Sequence, residues 1–322
     1  MSISIQQSGL LASVQDLGRP LQQAYGIGSA GALDPLAHQL AQILVANPVH
    51  AAGIELFAGP FRLQTEQACW LGISGAEIDG EICLAETRQP VISGWRYALP
   101  AGAQLQIHGL KRGRCCYLSF SGGIAVPTVL GSRSTDFAAQ FGGWLGQALQ
   151  AGARLPLGLQ NDSLIRQTTG VRQPVNDGLI RLLPGPEWSQ LKPESQRALL
   201  RQAWPVSAQS NRMGLRLNPG QPGQTPLQLI SPIELLSHAV FPGVMQLPAQ
   251  GWPIILLADA QCTGGYPRIA TVIQADLWKL AQSCPGQVLH FQLCDLAQAQ
   301  HAALEQQNWL KQIRYNLQHF SN

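Results

Sequence analysis

The chain has 322 residues, 45% of them hydrophobic and only 12% charged, with 21 Lys plus Arg against 18 Asp plus Glu and a net charge of +3. An apolar share of that size buries a substantial core, which excludes an intrinsically disordered chain. Four dispersed lysines (Lys111, Lys192, Lys279 and Lys311) and no basic run beyond Lys111-Arg112 exclude a surface for nucleic-acid phosphates.

The 38 glutamines nearly match the 39 charged side chains, so neutral amides keep much of the surface wet. The most apolar stretches, such as Trp252 to Ala260, are far shorter than the roughly 20 residues a membrane-spanning helix needs. The N-terminus carries no basic segment followed by a long apolar run, so no secretory signal is expected. Seven cysteines, at 69, 83, 115, 116, 262, 284 and 294, include no Cys-x-x-Cys pair. They read as free thiols, and the expected location is the reducing cytoplasm.

Taken in chain order, the pattern is mainly short β segments cut by turns, the signature of barrels and sandwiches. Asp34-Pro35 predicts a helix start, with an N-cap followed by proline at the first helical position. Leu36, Leu40, Ile43 and Leu44 share one face, and Asn47-Pro48 ends the helix. Strands are predicted at Gly53 to Phe57, Ala68 to Ser74, Gln104 to His108 and Cys115 to Ser119. Turns are expected at Pro100-Ala-Gly102, Lys111-Arg-Gly113 and Cys284-Pro-Gly286. The polar stretch around residues 160–178 marks a domain junction near 175, giving domains 1–175 and 176–322. Beyond it come a strand at Leu179 to Leu183, a helix over Pro193 to Gln202, and strands at Ile254 to Ala258 and Val288 to Leu293. A last helix starts after Asp295, with Gln298 at the capping-box position and Leu310, Ile313, Leu317 and Phe320 on its inner face.

Gly26-Ile-Gly28-Ser-Ala-Gly31 fits the dinucleotide spacing, but a polar, proline-interrupted segment precedes it where a hydrophobic strand is required. It is read as a false match. Seven dispersed histidines show no metal-ligand spacing, so no metal site is expected. No lysine stands in a Met-Lys-Met setting, so no covalent biotin is expected on this chain.

Two glycine-dense blocks carry the chemistry. One is Ser119 to Pro127, continuing through Leu130-Gly-Ser-Arg-Ser-Thr-Asp136, with Ser121, Gly122, Gly123, Ser132, Arg133 and Ser134 as candidate anion-binding residues. The other is Leu257 to Ile269, with Asp259, Thr263, Gly264, Gly265, Tyr266 and Arg268. Glycine pairs admit a ligand to the backbone, hydroxyls bond oxyanions and arginine clamps carboxylate or phosphate. Either block alone also fits a tight sheet corner; together they are expected to converge on one anionic pocket. Arg212, in Ser210-Asn-Arg-Met-Gly-Leu-Arg-Leu217, is a third candidate. Asp259, Glu234 and Glu55 lie in apolar surroundings that either pair an acid with arginine or raise its pKa.

The segments SVQDLGRPLQQAYGIGSAGALDPLAHQLAQILVAN, IELFAGP, SFSGGIAVPTVLGSRSTD, RLLPGPEW, SNRMGLRL and LLADAQCTGGYPRIATVIQADL run nearly the whole chain. In this order they resemble the allophanate hydrolase subunit 2, or biotin-dependent carboxyltransferase-like, family. The resemblance implies two cyclophilin-like β-barrel domains with a few helices, including a C-terminal one. A chain of this length, without a carboxylase domain or biotin carrier, is most similar to the family members that serve as the C component of 5-oxoprolinase. That implies ATP-dependent cleavage of 5-oxoproline to L-glutamate, with Mg2+ alongside ATP as co-substrate of the complex. It also implies a smaller subunit-1-type partner, like the B component of 5-oxoprolinase, and a lactam-utilisation-type partner as the A component.

Two other activities within the family are carboxyl transfer from carboxybiotin to urea or a related amide, and regulation by antagonising a subunit-1-type kinase inhibitor. Asn211, Leu215, His238 and Cys262 depart from the family pattern. Chemistry and motif position together assign Arg268 and Arg212 to phosphate or substrate carboxylate and Asp259 to a base or orienting role. The backbones of Ser121-Gly122-Gly123 and Thr263-Gly264-Gly265 are assigned to oxyanions.

Overall fold

The structure is a computed structural model, and it describes residues 1–160, 167–218 and 223–319. The chain is mainly β and divides into two compact units. The first comprises Met1–Arg19, Ala30–Pro174 and Gln307–Asn322, and the second Pro20–Ser29 and Val175–Gln306. The chain thus passes between units not only after Pro174 but also around Pro20–Ser29 and at Gln306, inside its last helix.

The first unit holds a ten-stranded sheet. Its main path runs Thr169–Gly170, Trp95–Leu99, Cys69–Leu84, Gln104–Phe120, Phe61–Thr65, Ser2–Ser8 and Arg154–Pro156. Alternation along these strands sends Ile3, Ile5, Leu63, Leu71, Ile73, Leu105, Ile107, Leu118, Phe120 and Leu155 into one apolar cluster. A single sheet whose successive strands all feed one core must curl around it. The helix Pro35–Leu44 starts where the sequence predicts: Asp34 Oδ1 accepts from Ala37 N at 2.8 Å, and Leu36, Leu40, Ile43 and Leu44 are buried.

One predicted break is absent. Gln104–Phe120 is continuous through Lys111-Arg-Gly113. The register against Cys69–Leu84 slips there instead, Ile78 facing Leu110 and Glu77 facing Arg112, so an extra residue is absorbed as a bulge rather than a turn. The turns at Pro100 and Cys284 form, each closed by a backbone bond (Ala103 N to Pro100 O and Gln287 N to Cys284 O, both 3.0 Å).

The second unit has a seven-stranded sheet in the order Trp204–Pro205, Val288–Leu293, Leu179–Pro184, Arg268–Val272, Val244–Gln246, Ile254–Leu256 and Gly214–Arg216. A separate two-stranded ribbon pairs His238–Ala239 with Thr263–Gly264. The helix Pro193–Arg201 buries Leu199, whose carbonyl accepts from Trp204 Nε1 at 2.9 Å. A short helix, Leu277–Ala281, carries no sequence signal strong enough to separate it from a strand. The last helix, Leu296–His319, opens on a reciprocal capping box: Gln298 N donates to Asp295 Oδ1 at 2.7 Å, and Asp295 N to Gln298 Oε1 at 3.0 Å. Leu310 and Leu317 are buried, Ile313 is half-buried, and Phe320 lies outside the described residues.

Candidate functional site

The two glycine blocks fall in different units, and each makes its own local structure. In the first unit, the strand Gln104–Phe120 runs into Ser121-Gly122-Gly123. Ser121 N donates to Trp70 O at 2.8 Å, and Ser121 Oγ accepts from Trp70 N at 3.0 Å. Gly122 N donates to Asn47 Oδ1 at 2.9 Å, and Gly123 N to Phe120 O at 2.8 Å. All three N–H groups assigned to oxyanions are therefore engaged within the unit. Gly122 has φ 91°, and a Cβ there would stand 2.3 Å from Gly158 O. Glycine at this corner answers to backbone conformation and to close approach of the Gly158–Leu159 backbone.

Ser132, Arg133 and Ser134 surround a carboxylate that no local motif marks. Asp16 Oδ1 accepts from Ser132 Oγ and Ser134 Oγ, both at 2.6 Å, and Asp16 Oδ2 from Arg133 N at 2.6 Å. Arg133 Nε donates to Val126 O at 2.9 Å. Two hydroxyls donating to a buried carboxylate do not also donate to an anion, so this half of the first block locks a loop.

Glu55 is wholly buried and serves as an acceptor for Leu33 N at 2.7 Å and Tyr117 OH at 2.6 Å. A phenol and a backbone amide thus both donate to this acid. Burial pushes the Tyr117 phenol well above its ordinary range. His38, edge-on to Tyr117, has its pKa lowered from 6.5 to about 4 by burial. Glu234 is exposed rather than apolar in its surroundings.

In the second unit the structure brings the three charged candidates, Arg212, Asp259 and Arg268, into charge pairs. Arg212 Nε and Nη2 donate to Asp259 Oδ2 and Oδ1 at 2.7 and 2.8 Å, and Asp259 N donates to Arg212 O at 3.0 Å. The pair is 6% and 14% exposed by side chain, so Asp259 is an arginine-held carboxylate. Arg268 pairs with Glu187, which lies in the RLLPGPEW segment and which sequence reasoning misses. Glu187 Oε2 accepts from Arg268 N at 2.7 Å and from Nε at 3.2 Å, and Oε1 from Nη2 at 3.1 Å. Burial works to raise the Glu187 pKa, but the Arg268 side-chain and backbone hydrogen bonds outweigh it and hold the carboxyl below its ordinary range.

Thr263 and Tyr266 are exposed, whereas Gly264 is half-buried in the ribbon. A Cβ on Gly264 would stand 2.7 Å from Gln246 Nε2 and 3.5 Å from Gln261 Nε2. Glycine here makes room for side-chain amides rather than for an unusual backbone angle. Gln246 follows a register slip between Met245 and Gln246 in the pairing with Arg268–Val272. No local motif announces such a bulge, so nothing in the sequence marks Gln246. Three of the four departures from the family pattern, Asn211, Leu215 and Cys262, find ordinary places. Asn211 Oδ1 accepts from Met213 N at 2.9 Å, Leu215 is fully buried, and Cys262 O accepts from Val240 N at 3.0 Å. The Gly26-to-Gly31 segment follows a single 3-10 turn, Gln23–Tyr25, and no strand enters it.

A family model described as "Carboxyltransferase domain, subdomain A and B" matches residues 25–293. The chain belongs to this carboxyltransferase-domain family. It is 40% identical over 316 residues to the C subunit of 5-oxoprolinase from Escherichia coli (strain K12), covering 98% of each chain. Among solved structures, TTHA0988 matches with a TM-score of 0.76 and 30% identity over 90% of this chain, which corresponds to 56% of that longer chain. The Kluyveromyces lactis urea amidolyase shares the fold at a TM-score of 0.84 and 22% identity, this chain spanning 20% of its length. Among the described residues no helix is long and apolar enough to cross a membrane.

Proposed function

We propose that this chain is one subunit of a multi-protein 5-oxoprolinase, which opens the lactam ring of 5-oxoproline to L-glutamate with hydrolysis of ATP. The observation that carries the reading is end-to-end likeness at 40% identity to a protein named as a 5-oxoprolinase component, over 98% of both chains. Amide resonance and easy re-closure oppose opening of a five-membered lactam, and phosphorylation of the lactam oxygen by ATP, releasing ADP, overcomes this. One water adds to the activated carbon and the ring nitrogen leaves as the amine, giving an acyl phosphate. A second water releases phosphate and leaves the new carboxylate. Negative charge develops on oxygen at each stage, which calls for preorganised donors and cations.

In this reading the Thr263–Gly265 segment, Tyr266 and Arg268 face the substrate. The buried Arg212–Asp259 pair fixes the loop that carries them, and the first glycine corner with Ser132, Arg133 and Ser134 holds the other unit's framework. ATP, with Mg2+, is co-substrate of the assembled enzyme. The chain works with a subunit-1-type partner and a lactam-utilisation-type partner in the cytoplasm. The test is reconstitution from the three purified proteins with ATP, Mg2+ and 5-oxoproline. Glutamate should form in the complete mixture and in none that lacks a component. Absence of glutamate from correctly folded proteins overturns the reading.

The family description favours a second reading, carboxyl transfer to urea or a related amide. It predicts turnover only when a carboxybiotin-loaded carrier is supplied.

A further inference from the structure

Three shielded side-chain atoms of the second unit have no hydrogen-bond partner among the described residues, Gln202 Oε1, His238 Nε2 and Gln246 Nε2, and the last two belong to one small neighbourhood. Gln246 is 2% exposed, and its Nε2 finds no acceptor. His238 Nε2 is likewise buried and unpartnered, while His238 Nδ1 lies 3.1 Å from the carbonyl oxygen of Leu236. A carbonyl only accepts, so in the neutral ring the proton sits on Nδ1 and Nε2 presents its lone pair. Buried amide hydrogens without an acceptor are uncommon in folded proteins and point to a partner from outside the chain.

The topology places these atoms together. His238 is directly opposite Gly264 across the ribbon. Opposed residues of an antiparallel pair project to the same face, with Cβ atoms about 5 Å apart. Gly264 has no side chain, and the point where its Cβ would stand is 2.7 Å from Gln246 Nε2. The absent methyl therefore leaves the amide hydrogens and the imidazole lone pair on one shared face. The register slip before Gln246 turns that side chain toward the ribbon, and Arg268, held by Glu187, is its neighbour across the adjoining strand pair.

A donor beside an acceptor complements one kind of ligand edge, a carbonyl oxygen with an N–H on the same side. Lactams and urea present that edge; an open-chain secondary amide in its trans form puts the two groups on opposite sides. We infer that Gln246 and His238 read the cis-amide edge of the substrate, Gln246 Nε2 donating to the carbonyl oxygen and His238 Nε2 accepting from the N–H. The identification of that substrate as a lactam rests on the function proposed above. Gln246 and His238 are then specificity-determining residues, and Gly264 is the residue that leaves room for the Gln246 amide.

The test titrates the full chain, observed by NMR, with 2-pyrrolidone, urea, N-methyl-2-pyrrolidone and N-methylacetamide, and repeats it on Gln246→Met, Gln246→Glu and His238→Phe. The wild type should bind 2-pyrrolidone about tenfold or more tightly than its N-methyl counterpart or N-methylacetamide, since a site built around a hydrogen bond rejects an analogue that lacks it. The ratio of 2-pyrrolidone to urea binding decides between lactam and urea as the source of that edge. Gln246→Met, whose thermal transition reports folding, should weaken 2-pyrrolidone about tenfold, and Gln246→Glu, which offers the carbonyl oxygen no donor, should weaken it at least as much. His238→Phe should bring the N–H and N-methyl ligands level.

In the reconstituted enzyme the same variants should raise KM for 5-oxoproline more than they lower kcat. Glutamate formation with an unchanged KM in folded Gln246→Met overturns this inference and leaves the oxoprolinase reading standing. No glutamate, but tenfold discrimination that the variants abolish, leaves the inference standing and overturns the oxoprolinase reading. A wild-type chain that does not distinguish the four ligands overturns the inference.

Discussion

The two glycine corners look alike in sequence and differ in what their glycines do. At Ser121-Gly122-Gly123 every backbone N–H is engaged, φ at Gly122 is 91°, and the Gly158 carbonyl occupies the space a side chain would need. At Thr263-Gly264-Gly265 neither glycine has a positive φ, and the space beside Gly264 is bounded by side-chain amides. The first corner is a joint in a sheet; the second borders polar groups that the fold has buried and left unsatisfied. A Gly-Gly pair flanked by hydroxyls is thus two different devices, told apart by which atoms close around it.

The largest expected effect sharpens this contrast in the second unit. Asp259→Ala removes the carboxylate from a 6%-exposed Arg212 and should destabilise the protein by about 3–5 kcal/mol, read from the denaturant midpoint. A loss below about 1 kcal/mol would show that the pair is not structural. Gly122→Ala comes next. It forces a side chain onto left-handed backbone and against Gly158 O, and should cost about 3 kcal/mol. An unfolding midpoint close to that of the wild type would erase the distinction between the corners.

His38 supports the same part of the first unit, its Nε2 lying 3.1 Å from Ala51 O, beside Gly123. Its pKa is lowered from 6.5 to about 4. The unfolded chain therefore binds the proton first as pH falls. Stability is fully present above about 6.5 and drops by about 3 kcal/mol as pH falls to about 4. Urea unfolding of wild type and His38→Gln across that range checks it, the variant showing a flatter profile. Gly264→Ala has the smallest effect on stability, within about 1 kcal/mol, because its backbone is ordinary and the colliding atom ends a side chain. Under the proposed function it should nonetheless lower 5-oxoproline turnover by the reconstituted complex about tenfold, as expected where a hydrogen-bonding face is obstructed. Equal losses of stability at Gly122→Ala and Gly264→Ala would break the comparison outright.

Local chemistry is legible in the sequence. The Asp34 cap, the Asp295–Gln298 box and the turns at Pro100 and Cys284 each involve residues within four positions of one another, and all form. The Lys111-Arg-Gly113 turn does not, because a turn motif and a bulge use the same residues, and only the facing strand decides between them. The candidate site is legible as residue types but not as partners. Glu187 is 81 positions from Arg268, and Asp16 is 116 from Ser132. No spacing rule reaches so far. Gln246 is hidden for a further reason: one glutamine among 38 is distinguished only by what it fails to bond.

The division of the chain has a consequence for its synthesis. Because Gln307 and the residues after it belong to the unit that contains Met1, that unit is incomplete until the second has been made. A ribosome delivering the chain from its N-terminus therefore releases a nearly finished first unit that waits through Val175–Gln306 for its last piece. Severing the polypeptide after Pro174 would not yield two self-sufficient halves, because each fragment would lack a strip encoded in the other.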